Sequence, residues 1–412
     1  MAKGARAAWR RVIIASVPPT VVGPRLRLGA TIRQFVTEQA PPASADSPAD
    51  IAAVSRMFDA QRLRVARHAE KLSGRELAHR VGVSATAISQ WEAGDTRPRP
   101  ETVERLSDAL GYPPDYFVTS GRHVENLSSD CSFFRSLRSS RQRDRDAAAA
   151  HAALIAEVVV VLERYVRLPP VDLPSHPIGP QASLDEIDQV AQEVRDAWGL
   201  GREPIPDVLR QIETHGPVAA RLGLADNVDA FSWPALGRPI VILGVEKQNR
   251  IRSRFDAAHE LGHLIMHRGQ ARAADPALEK QAHRFASAFL VPGASLREEW
   301  PTGRIDWRAL MAIKQRWQIS LAALLYRARQ DSVITESTFN SAMRYVSRAG
   351  WRTTEPGDEG LPERPRLLAA AVTALAQTGK TVNDIADEAR LPARLVEQYL
   401  EPAVPERMEL AF

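Results

Sequence analysis

The stretch "FDAAHELGHLIMH", Phe255 to His267, places histidines at 259, 263 and 267 within an apolar run. An α-helix puts residues four apart on one face, so this spacing asks for a helix. On it, His259 and His263 point two imidazoles at one ion. Glu260, beside the first, can act as general base toward a water at that ion. His267 does not complete the set. At 1.5 Å rise per residue it lies about 12 Å along the axis from His259, too far for three ligands to enclose an ion at about 2.1 Å. It reads instead as a residue of the helix C-terminus, interacting with the dipole or packing locally. Ser253 or Asp256 is expected to start this helix and Gly269 to end it.

Zinc needs a third protein ligand. The next helical pattern, "PALEKQAHRFASAFLVP" from Pro276, has an apolar stripe of Ala282, Phe285, Ala286, Phe289 and Leu290. Glu279 falls on that side, where a buried carboxylate needs a partner that a metal ion would supply. His283, four residues on, shares the face. It reads as a partner of the ligands or as the third ligand itself.

"RSRFDAAHELGHLIMH" followed by "EKQAHRFASAFLVP" resembles the ImmA/IrrE family of bacterial metallopeptidases, whose pattern is H-E-x-x-H and then E-x-x-A-x-x-F-A. The likeness spans roughly residues 185–330 and takes in the strand "RPIVILG", Arg238–Gly244. It implies that Glu279 is the third ligand in a gluzincin-like Zn2+ site and that the substrate is a transcriptional repressor or similar regulator. Many members carry asparagine where this chain has His283.

A second pattern lies upstream. Leu63, Ala66 and Ala69 mark a helix by their three-residue steps. Ser73 can cap a second helix with Glu76 as its capping-box partner, and Gly82 supplies a turn. Ser84 caps a third helix that Gly94 stops, and "RPRPETVERLSDAL" forms a fourth, closed by Gly111. Helix, short glycine turn, helix is the layout in which the second helix enters the DNA major groove. Leu77, Ala78, Gly82, Val83, Ser84, Ile88, Ser89, Trp91, Glu92, Gly94 and Pro98 resemble the Cro-type (XRE) family in order and spacing. Candidate DNA contacts are Ser84, Thr86, Ser89 and Gln90, with Gln90 the best base-edge donor. Gly74 stands where the family often carries a phosphate-binding glutamine, and Arg75 is the candidate substitute. Between Arg56 and Leu110 there are ten basic and eight acidic residues, a small excess for a DNA-binding unit.

Composition bounds the rest. A chain of 412 residues suggests roughly two to four domains, and 44% hydrophobic content is enough to build cores. One cysteine, Cys131, excludes an intrachain disulfide and a cysteine zinc cluster, and fits a reducing cytoplasm. "LIAEVVVVLERYV" from Leu154 is too short and too charged to span a membrane and reads as a buried helix. Met1 to Thr37 holds seven basic residues and no acid, a composition like that of a transit peptide. A disordered basic tail, or translation starting at Met57, explains it as well.

The expected fold class is mainly α with a small β-sheet. Residues 1–55 form a disordered tail and linker, 56–120 an all-α helix-turn-helix head and 121–182 a helical connector. Residues 183–330 form an α+β zincin-like domain and 331–412 a helical C-terminal region. In that last region "TVNDIADEARLPARLVEQYLEP" resembles a degenerate helix-turn-helix whose acidic surface suits packing or a protein partner better than DNA. The expected function is a regulatory zinc metallopeptidase with DNA and a regulator protein as partners, a homodimer being left open. The alternative is an XRE-family regulator whose zinc fold is sensory or structural, with little proteolysis.

Overall fold

The computed structural model describes residues 50–118, 142–223, 229–233, 237–245, 249–268, 275–352, 354–358 and 360–400. Cys131 and residues 1–49 lie outside them. The chain is mainly helical with one small sheet, and the described apolar residues gather into two cores.

The head follows the capping signals. Helices α1 (Ile51–Arg56), α2 (Ala60–Ala69), α3 (Gly74–Val81), α4 (Ala85–Ala93) and α5 (Pro100–Leu110) succeed one another. Ser73 and Glu76 form a reciprocal capping box, and Gly82 takes the left-handed conformation at φ 70° that ends α3. Helix α1 corrects the expectation of a disordered segment to residue 55. Asp50 caps it, Val54 is buried, α1 packs on α5, and Ser55 Oγ donates to the Pro98 carbonyl at 2.7 Å. A chain beginning at Met57 would lack this helix.

Helix α6 (Gln142–Leu162) threads the first core, with Leu154, Ile155, Val158, Val159, Val161 and Leu162 buried along it. Its apolar run contains Glu157, which takes an ion pair at 2.8 Å from the equally buried Arg62 of α2. Arg62 also lies over the Tyr116 ring. Removing one partner strands a buried charge, so Arg62→Met is expected to cost roughly 3–5 kcal/mol of unfolding free energy in urea titrations.

The C-terminal stretch divides between the two cores instead of forming one region. Helix α14 (Glu336–Arg348) buries Phe339, Ala342 and Val346 in the second core. Helices α15 (Leu367–Gln377), α16 (Val382–Ala389) and α17 (Ala393–Leu400) join the first. Of these, α16 and α17 are the helix-turn-helix-like pair, and it is a packing element. Arg394 pairs with Glu70, the C-cap of α2, at 2.5 Å, and Arg390 with Asp115 at 3.1 Å. Glu388 is engaged by Arg164 and Tyr165.

Strands β1 (Val218–Leu222), β2 (Ala230–Trp233) and β3 (Ile240–Gly244) form a sheet in the order β1-β3-β2, with β1 parallel and β2 antiparallel to β3. The two-residue alternation of strands splits the sheet between the cores. Val218, Ala220, Leu222, Phe231, Trp233, Ile240 and Ile242 face the first core, whereas Ala219, Ala230, Val241 and Leu243 face the second. Both faces are covered, which is why "IVILG" is continuously apolar. Helix α9 (Arg250–Met266) lies against β2 and β3, and helix α10 (Pro276–Leu290) packs on α9 and on α7 (Leu184–Ala197).

Residues 354–358 and 360–366 lie between the cores, pinned by buried acids. Glu355 and Asp358 hold Lys314, and Glu363 pairs with Arg254 of α9. Among the described residues no helix is long and apolar enough to cross a membrane.

Candidate metal centre

Asn249 caps α9, its Oδ1 accepting from the Arg252 amide at 2.9 Å. The helix therefore begins before the expected Ser253 or Asp256, and Ser253 Oγ instead accepts from Arg221 at 2.6 Å. It ends at Met266, with His267 as its C-cap, while Gly269 lies outside the described residues. Asp275 caps α10, whose first residue is Pro276. Gly262 lets the two helices close: a Cβ there would sit 2.9 Å from the Phe285 ring of α10.

That approach brings three donors together. His259 Nε2 and His263 Nε2 are 3.1 Å apart, and each is 3.4 Å from an oxygen of Glu279. For ligands about 2.0–2.1 Å from zinc, the edge of the tetrahedron is roughly 3.4 Å. Two imidazole nitrogens and a carboxylate, spaced in this way, therefore fit the donor set of an open zinc site. Burial alone would raise the Glu279 carboxyl. Hydrogen bonding and charge from His259 and His263 outweigh it and hold the group well below the usual carboxylate range.

His267 has a role the sequence reading missed. It is fully buried, and its Nδ1 lies 2.9 Å from His263 Nδ1, while its Nε2 lies 3.0 Å from Gln281 Oε1. Gln281 Nε2 donates to the Gly179 carbonyl at 2.8 Å. The polarity of the chain follows from that last bond. With its NH2 on Gly179, Gln281 presents an acceptor to His267, so His267 carries its proton on Nε2 and accepts at Nδ1. With an ion bound in place of the Glu279 hydrogen bond, His263 would then donate from Nδ1 and turn its Nε2 lone pair to the ion. Burial lowers the pKa of both imidazoles, which favours the neutral forms this relay requires. Burial thus disfavours a dipole-stabilising cation at His267. Partners of this kind typically contribute 10–100-fold to metal affinity. His267→Phe should weaken metal binding by about that factor in competition with a chromogenic chelator.

His283 does not join the donor set. It is exposed, its ring 4.6 Å from that of His259 and 5.7 Å from Phe255. The helix turns it to the rim, because the close contact with α9 falls on Glu279, Ala282 and Phe285.

Glu260 is buried against the sheet, where Ser232 Oγ of β2 donates to its Oε2 at 2.8 Å. Burial pushes its pKa up to about 8; the Ser232 bond opposes the rise and the nearby Glu279 and Asp256 charges add to it. The two carboxylates thus differ, Glu279 strongly ionised and Glu260 poised to exchange a proton. No sequence signal marks Ser232, since "AFSW" is too short to read as a strand.

In the head, Arg75, Ser84, Thr86, Ser89 and Gln90 are all exposed, and Ile88 and Trp91 are buried. Two of the hydroxyls are partly committed. Ser84 Oγ accepts from the Ala87 amide and keeps its proton for an anion, whereas Ser89 Oγ donates to the Ala85 carbonyl and keeps only lone pairs. Glu92, which would repel DNA, is neutralised by Arg67. Arg143 of α6, absent from the sequence candidates, reaches Glu76 of α3 at 3.3 Å.

Comparison with known families matches residues 217–329 to the IrrE N-terminal-like domain and residues 63–117 to a helix-turn-helix family. The first match covers the sheet, α9 and α10. Repressor protein C2 of Salmonella phage P22 is 43% identical over 68 residues, 16% of this chain and 32% of the repressor. The chain thus spans about a third of the length of the curated relative it matches. It is accordingly a fusion of an XRE-type helix-turn-helix head with an IrrE-like domain of a metallopeptidase family.

Proposed function

We propose that the protein is a cytoplasmic regulatory zinc metallopeptidase whose head reads DNA and whose substrate is a transcriptional repressor or similar regulator. The observation that carries this reading is the convergence of His259, His263 and Glu279 beside a buried, proton-exchanging Glu260. His259 Nε2, His263 Nε2 and Glu279 would hold the ion. Zinc, when bound, polarises a carbonyl and makes water more acidic. Ser232 holds Oε2 of Glu260, so Oε1 takes the proton of the attacking water and passes it to the leaving amine. In the head, Gln90 and Thr86 face base edges, Ser89 offers an acceptor to them, and Arg75 and Ser84 take phosphates. The similarity of the head to a phage repressor supports placing the enzyme where repressors act.

Quantitative proteomics of cells carrying wild-type or Glu260→Gln protein tests the proposal. A regulator that accumulates in the mutant, with its fragments confined to wild type, is expected. Indistinguishable proteomes and unchanged target regulation would favour a sensory zinc fold instead.

A further inference from the structure

Where the second core meets α15, a cleft of about 380 Å³ is lined by Arg250, Arg364, Arg366, Asp207, Glu363 and Leu361, among others. Its charges do not balance. Glu363 is fully engaged, pairing with Arg254 and accepting from the Val208 and Leu209 amides at 2.8 and 3.0 Å. Asp207 caps the Arg210 amide at 2.9 Å and touches Arg366 only at 3.8 Å. Among the described residues, neither Arg250 nor Arg364 has a carboxylate within ion-pair distance, and the buried Nε of Arg250 has no acceptor. Three guanidinium groups thus face one loosely held carboxylate. The neighbourhood is congested as well, since Arg250 acts against the charge of Arg254, and Arg364 against that of Arg221.

The geometry points to an anion site here, and we propose that the cleft binds a small phosphorylated molecule. Guanidinium forks match phosphate oxygens two at a time, and the volume lies within the range of small-ligand pockets, roughly 300–1,000 Å³. Leu361 gives an apolar wall for the body of such a ligand. The position gives the site a consequence. Arg250 is the first residue of the helix that carries His259 and His263, and Arg366 is the N-cap of α15, which packs in the first core with the head. A phosphate bridging them ties the metal helix to the bundle that holds the DNA-reading unit. None of this depends on proteolysis.

Titration calorimetry of the full chain with inorganic pyrophosphate, at constant ionic strength, tests the proposal. Saturable binding is expected in wild type. Arg364→Ala and Arg250→Gln should each weaken it at least tenfold, and Arg364→Lys should restore part of the loss. Arg364 is exposed, so its replacement leaves the fold intact. Pyrophosphate also has access to the metal and to the head, and binding there would be indifferent to these arginines. Absence of saturable binding, or equal affinity in wild type and both loss variants, would overturn the proposal.

Discussion

A Glu260→Gln protein is expected to fold, to keep its metal and to hydrolyse peptide bonds roughly 10²–10⁴-fold more slowly than wild type. The amide matches the carboxylate in shape, and its oxygen can still accept from Ser232 Oγ, but it takes no proton at working pH. Stability should respond in the opposite sense. Glu260 is pushed from the ordinary 4.5 up to about 8 in the metal-free protein, so the folded state binds the extra proton between those values. Wild-type apoprotein should therefore lose stability as pH rises through that window, and Glu260→Gln should lose less. Cleavage assays, metal analysis and urea titrations from pH 5 to 9 give the three readouts. Undiminished cleavage by the variant would remove Glu260 from the chemistry.

His263→Ala and Glu279→Ala should each bring metal content from about one ion per chain to near zero by mass spectrometry, since an open zinc site has only three protein ligands to lose from. The same variants should lack the stabilisation that metal gives wild type, about 2.7 kcal/mol at a free concentration of one hundred times Kd. Chelator treatment should lower wild type to the variants' level and leave the variants unmoved. His283→Ala is the contrast, with metal content unchanged, because its ring lies outside the donor set. Retention of a full equivalent by Glu279→Ala would mean that a different residue completes the site.

Much of the fold could be read from the chain because its signals are local. Ser73, Glu76 and Gly82 act within a few residues of one another, and the structure carries them as a capping box and a left-handed turn. The paired histidines needed only the helical period. What failed was local reading of distant or weak signals. Residues 50–55 looked like part of a polar linker, yet Asp50 and Val54 sufficed for a helix once α5 offered an apolar surface. The acidic α16–α17 pair read as a packing or partner element, but its partners Glu70 and Asp115 could not be named, because they lie more than 270 residues away.

The sequence by itself determined the head's helices, the placement of His259, Glu260 and His263 on one helix, and Glu279 as the acid on the apolar side of the next. These depend on periodicity and capping, which are properties of a short stretch of chain. The tertiary structure alone decided the rest. It brought Glu279 to 3.4 Å from both imidazoles, turned His283 to the rim, and placed Ser232 on Glu260. It also made His267 a link in a relay that starts at the Gly179 carbonyl. A buried polar group must find a partner wherever the packed chain supplies one, and packing at Gly262 and Phe285 sets that supply, not spacing along the sequence.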